Sequence, residues 1–186
     1  MAAPILVLSG CSAVGKSTVG RLLAGSLDSS VHVPSDIFLR LFDEPFPDPA
    51  SADGAHYYQV VGAALAAAAA QLAVGGYTVI LDGTIFPEGV EGMAEICGRR
   101  GVLVHYAVLR ADLATCLKRA ATRNPAEPPD LDAFKALHAK FADLGDREAN
   151  AIDASGSAEQ VAASVLSNFK SGRLGPIPGS SQATSP

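Results

Sequence analysis

Gly10-Cys11-Ser12-Ala13-Val14-Gly15-Lys16-Ser17 is the stretch on which the reading of this chain turns. It has the form GxxxxGK[ST] at every specified position. It follows a continuous aliphatic run, Pro4-Ile-Leu-Val-Leu-Ser9, of the kind a strand buried on both faces shows. A helix is predicted behind it, from Lys16 to about Leu27. Strand, glycine-rich loop and helix in that order form an anion cradle, because the loop's N–H groups and the helix N-terminus converge on one point. The expected ligand is ATP with Mg²⁺. Gly10, Cys11, Ser12, Ala13, Val14, Gly15, Lys16, Ser17 and Thr18 would wrap the phosphates. Lys16 supplies the point charge, and the Ser17 hydroxyl is offered to the metal.

The rest of the chain alternates strands and helices. Val31–Pro34 reads as a second strand ending at Ser35-Asp36, with Ile37, Phe38, Leu41 and Phe42 on one helical face beyond it. Asp43 to Ala55 holds three prolines and four acids with no base, and is expected to be an irregular loop. A helix is predicted over His56–Val74. Tyr77–Leu81 is a third strand closing on Asp82-Gly83-Thr84, and a helix runs from Pro87 to about Arg99. Gly101–Leu109 is a fourth strand, and a helix follows from Asp112 to Arg123. Asn124-Pro125 and Pro128-Pro129 break the chain before a helix at 131–144. Ala149–Asp153 and Ser157–Phe169 complete the series. The pattern predicts an α/β fold of the P-loop type, a parallel sheet of about five strands sandwiched by helices, with a helical lid. It forms one domain over 1–170. Residues 171–186 are Gly, Pro or Ser at ten of sixteen positions and are expected to form a disordered tail.

Composition narrows the function. Fourteen Lys+Arg against 19 Asp+Glu give a net charge of −5, which argues against a nucleic-acid partner. Three cysteines without CxxC spacing indicate neither a disulfide framework nor a zinc site, so a reducing, cytoplasmic setting is expected. The longest apolar run, Val60–Ala70, is too short to span a bilayer, and no membrane association is expected. Cys11 and the four histidines are assigned no chemistry of their own.

In an open parallel sheet, ligands gather beyond the carboxyl ends of the strands. Asp36 and Asp82 stand there. Asp36 is the candidate base for an acceptor hydroxyl. Asp82 would hold a magnesium-bound water or hydrogen-bond the acceptor. Each could instead simply cap the helix that follows. Arg119 and Arg123, four apart, share one helical face beside the proline-rich break and suit a closing lid that carries positive charge to the phosphoryl group.

These residues resemble the small P-loop kinases of nucleoside-monophosphate-kinase-like architecture, especially chloramphenicol phosphotransferase-like and polynucleotide-kinase-like ATPase domains. The resemblance covers about residues 1–170 and rests on Gly10 to Ser17, the Ser35-Asp36 turn, Val79-Ile-Leu-Asp82-Gly-Thr84 and the Arg119/Arg123 pair. It implies that Asp36 is the base and that Arg119 and Arg123 contact ATP and the transferred group. Polynucleotide kinases tend to carry an arginine shortly after that acid, where this chain has Leu39 and then Arg40. The leading expectation is therefore a kinase that phosphorylates a hydroxyl of a small molecule. A polynucleotide or nucleotide kinase and a nucleotide-dependent switch are the alternatives.

Overall fold

The structure is a computed structural model that describes residues 2–42, 47–48, 51–123 and 129–179. The expected breaks at Pro45, Asn124-Pro125 and Pro128, and the end of the tail, lie outside the described residues. Five parallel strands form one sheet: β1 (Ile5–Gly10), β2 (Ser30–Pro34), β3 (Thr78–Asp82), β4 (Val104–Arg110) and β5 (Ala151–Asp153), in the order β2-β3-β1-β4-β5. β1 is central and buried at all six positions, as its aliphatic run requires.

Helices α1 (Lys16–Gly25) and α7 (Ala158–Lys170) cover one face of the sheet, and α3 (Ala52–Val74) and α4 (Pro87–Gly98) the other. The short α2 (Asp36–Leu39) follows β2, while α5 (Leu113–Arg123) and α6 (Leu131–Ala139) follow β4. The register aligns the strand ends that matter. Leu8 and Pro34 are each paired with Asp82, and Gly10 with Leu109.

Four expectations need correction. α3 begins at Ala52, inside the segment expected to be irregular, because Ser51 Oγ accepts from Gly54 N at 3.0 Å and caps the first turn. At 23 residues α3 is also long and apolar enough to cross a bilayer, which the run Val60–Ala70 alone did not reveal. Here Val61, Leu65, Ala66, Ala69, Ala70 and Ala73 form its buried face, against α4 and the sheet. α6 stops at Ala139, and a 3-10 turn at Gly145–Asn150 leads into β5. Finally, the start of the presumed tail is packed. Leu174 is fully buried and Ile177 nearly so. β5 pairs only with Val108–Arg110, which leaves the earlier edge of β4 open. The chain fills it: Ile177 N donates to Val104 O at 2.7 Å, and His105 Nδ1 lies 2.6 Å from Leu174 O. Two apolar side chains in a Gly/Pro/Ser-rich stretch suffice to hold it, since an uncovered edge presents unpaired backbone groups.

Candidate active site

The loop after β1 turns through conformations that few side chains tolerate. Gly10 has φ 137°, and a Cβ there would collide with the Leu109 carbonyl of the neighbouring strand. Gly15 has φ 114° and occupies the N-cap of α1. No side chain caps this helix, and no acid sits in its first turn. Its N–H groups and positive end are thus left for an anion.

Lys16 bends back over the loop, its Nζ donating to Gly10 O at 2.9 Å and Cys11 O at 2.8 Å. Burial lowers its pKa from the ordinary lysine value, opposed by the nearby Cys11, Asp82 and Asp36. Ser17 Oγ donates to Asp82 Oδ2 at 2.6 Å. The other oxygen of Asp82 lies 2.6 Å from His32 Nε2, and the carboxylate is only 4% exposed. A carboxylate can only accept, so Nε2 carries the proton. A hydroxyl and a carboxylate oxygen this close at the mouth of the loop fit neighbouring positions around a Mg²⁺ ion.

These groups open into a cleft of about 1010 Å³. Ser12 through Thr18, Asp36, Asp82, Arg119 and Arg123 all line it. Thus most of the residues singled out in the sequence come together. Asp36 is exposed, and its side chain makes no hydrogen bond or ion pair among the described residues. Ser35, not Asp36, holds the N-cap position of α2, and it too makes no side-chain cap. The simple capping role for Asp36 is therefore not what the geometry displays.

The two arginines differ. Arg119 is half-buried and tied to backbone carbonyls, with Nη1 donating to Val14 O and Ala154 O at 3.0 Å each and Nη2 to Gly156 O at 3.3 Å. It clamps the phosphate loop to the turn after β5. Arg123, the last residue of α5, is exposed at the cleft.

Gly10 and Cys11 do not line this cleft. The Cys11 side chain turns to a second cavity of about 510 Å³ behind the loop, and its Sγ lies 3.6 Å from that of Cys116. That hydrogen bond is the main cause bringing the Cys11 thiol down to about 7, with Lys16 helping and burial opposing. Cys116 is pushed up in turn.

Sequence reasoning missed three residues. His32 was set aside, yet it braces Asp82. The available signal was Gly20, a helix-destabilising residue in the interior of α1, where a Cβ would stand 2.7 Å from His32 Nε2. Ser9 and Tyr106 were also missed. Ser9 Oγ donates to Ile85 O and accepts from Ile85 N, and Tyr106 Oη donates to Ile85 O, so together they fix the strand exit beside Asp82. The apolar run around Ser9 gives no hint of this.

Known proteins share this architecture. A gluconokinase from Sinorhizobium meliloti 1021 superposes with a TM-score of 0.69 at 15% identity, covering 90% of this chain and 92% of that one. The Mycobacterium tuberculosis APS kinase CysC, in complex with AMPPNP and APS, gives 0.70 at 16%, covering 91% and 98%. The Deinococcus radiodurans tunicamycin resistance protein gives 0.64 at 21%, covering 95% and 99%. At such identities the likeness is one of fold, that of small P-loop kinases. No curated protein matches the chain in sequence. The family model of an AAA domain, AAA_33, does match, over residues 5–144, from the first strand past the second arginine of α5 and on beyond α6, and the chain therefore belongs to that family, with the P-loop kinase-like fold.

Proposed function

We propose that the chain is a cytoplasmic, ATP-dependent kinase that transfers the γ-phosphoryl group to a hydroxyl of a small molecule. The observation that carries this reading is the placement of Asp36, an exposed carboxylate without a partner among the described residues, in the same cleft as Lys16, Ser17 and Asp82. A protein that only binds or hydrolyses nucleotide has no need of a base on the acceptor side. Magnesium, bound with the nucleotide, would supply charge neutralisation at the phosphates. Ser17 and Asp82 are the residues that would hold it, directly or through water, and His32 orients Asp82 as a positioning residue.

Lys16 lies where it can leave the Gly10 and Cys11 carbonyls for β- and γ-phosphate oxygens. Arg119 keeps the phosphate loop and the 154–156 turn in register. Asp36 accepts the proton of the acceptor hydroxyl as its oxygen bonds to phosphorus, and ADP leaves with the electron pair of the broken bond. Arg123 supplies charge from the lid side.

If the surface beyond Asp36 receives the acceptor, it favours a molecule with an apolar body and no strong negative charge. Ile37, Leu41 and Phe42, which follow Asp36, are exposed, and Phe42 and Tyr57 meet edge to face with centroids 4.9 Å apart. Asp53 lies in the first turn of α3, and Asp48 precedes the helix. Such a surface disfavours a polyanion, in keeping with the net charge.

The test is a screen of hydroxylated metabolites and antibiotics for an ATP-dependent mass gain of one phosphate, followed by Asp36→Asn on the accepted compound. Turnover should fall about a hundredfold or more while ATP affinity stays near wild type. Undiminished turnover in the variant would remove Asp36 as the base, and ATP consumption without any acceptor would favour a switch-like ATPase.

A further inference from the structure

A second constellation lies behind the phosphate loop, apart from the cleft. Cys11 on the loop, Cys116 on α5 and His138 on α6 each place one ligand-type atom within 4.8 Å of the other two. We propose that these three side chains form a binding site for a thiophilic divalent cation, Zn²⁺ being the best fit, with its fourth position open to the adjoining cavity. This inference is independent of the kinase reading.

The distances suit that ion. Zn²⁺ binds thiolate at about 2.3 Å, so two sulfurs on tetrahedral zinc stand roughly 3.8 Å apart. Here Cys11 Sγ and Cys116 Sγ are 3.6 Å apart. Only small movements are needed to admit the metal between them. A neutral histidine can give the proton of one ring nitrogen to a backbone carbonyl and ligate through the other. His138 Nε2 lies 2.9 Å from Ala111 O, and a carbonyl only accepts, so Nε2 bears the proton and Nδ1 keeps its lone pair in the neutral ring. Binding releases the thiol protons to solvent, and the two resulting thiolates balance the charge of the ion.

The site also has an entrance. Cys11 and His138 line the cavity of about 510 Å³, together with Asp112 and Asp153. Three protein ligands and an open position form the arrangement of an exchangeable site rather than a closed structural one. The three ligands come from three elements distant in sequence. Binding therefore ties α5 and α6 to the loop whose Cys11 carbonyl receives Lys16. The remaining cysteine, Cys97, is elsewhere, buried in α4 with its Sγ 3.6 Å from Ala66 O, and serves as an internal control.

Co²⁺ titration of the metal-free chain, kept reduced with a phosphine, tests the proposal. Thiolate ligation gives a sulfur-to-cobalt charge-transfer band and intense tetrahedral d–d bands. The oxygen ligands Ser17 and Asp82 cannot produce that charge transfer. The expected result is one equivalent of Co²⁺ bound per chain and displaced by Zn²⁺, with affinity lowered by about a hundredfold or more in both Cys116→Ser and His138→Gln, and the bands retained in Cys97→Ala. The thermal midpoint of each metal-free variant checks folding. Should the buried Cys116→Ser protein not fold, the half-buried His138→Gln variant decides. Absence of the charge-transfer band in the wild type, or an unchanged Co²⁺ affinity in a folded Cys116→Ser or His138→Gln protein, overturns the assignment.

Discussion

Asp82→Asn keeps the shape of the side chain and removes one negative charge where β3 meets β2 and α1. Both carboxylate oxygens are engaged at 2.6 Å, one by Ser17 and one by His32, and the group is 4% exposed. A hydrogen bond to a charged partner contributes about 1.5–3 kcal/mol, against about 0.5–1.5 for a neutral one. Each contact therefore weakens by about 1 kcal/mol, and the pair by about 2. The new amide is not left unsatisfied, because Ser17 Oγ can accept from it. In a chain of this length each kcal/mol moves Tm by about 2–4 °C, so the midpoint should fall by roughly 4–8 °C. The functional loss should be larger. Lys16 loses one of the charges that favour its ammonium form, and the Ser17/Asp82 oxygen pair loses its anionic member. Thermal unfolding without ligand, together with ATP binding measured in Mg²⁺ and in a chelator, reads both effects. The wild type should bind ATP more tightly in Mg²⁺, and the variant should lose that advantage by about tenfold or more. An unchanged midpoint and an unchanged Mg²⁺ advantage would refute the placement of Asp82 at the metal and the weight given to its two hydrogen bonds.

Arg119→Ala should weaken ATP binding, because three backbone contacts that hold the phosphate loop to the 154–156 turn disappear. Arg123→Ala should instead lower turnover with ATP affinity nearly unchanged, and the reverse pattern would exchange their roles. Ending the chain at Lys170 removes the buried Leu174 and Ile177, each contributing about 1.5–3 kcal/mol, so Tm should drop by about 6 °C or more. An unaltered melting curve would show that this segment does not dock. Cys11 is buried, so its ionisation is best read without a reagent: the thiolate ultraviolet absorbance lost in Cys11→Ser should grow in the wild type as pH rises through about 7, since Cys116 and Lys16 favour the thiolate. An absorbance that climbs only near the ordinary cysteine value of about 8.5 would mean that the thiol is not activated.

Much of the site was legible because it is local in sequence. The loop from Gly10 to Ser17 is a motif of eight consecutive residues, so its glycines and lysine can be read without knowing which segments pack around it, although Gly10 is also required by the Leu109 carbonyl of the neighbouring strand. The aliphatic runs of β1, β3 and β4 revealed a parallel sheet through their continuity, and parallel topology then put Asp36 and Asp82 at the same edge. α3 and the edge of β4 were less legible. A serine cap at Ser51 and two apolar residues, Leu174 and Ile177, are weak signals among prolines, glycines and serines.

Pairings between distant segments were not legible at all. His32 and Asp82 meet because β2 and β3 are neighbours and because Gly20 leaves room above them, and neither fact is written next to the other in the chain. Arg119 was expected to face the phosphoryl group together with Arg123. Helical spacing could show a shared face, but only the folded chain brings the carbonyls of Val14, Ala154 and Gly156 within reach of one guanidinium. Spacing likewise dismissed the cysteines, since Cys11 and Cys116 are 105 positions apart. Their thiols touch because α5 packs behind the loop after β1. The sequence by itself determined the nucleotide cradle, the sheet class and the two strand-end acids, for these follow from short-range pattern. The tertiary structure decided which side chains brace them, since that depends on strand order and on the space between elements.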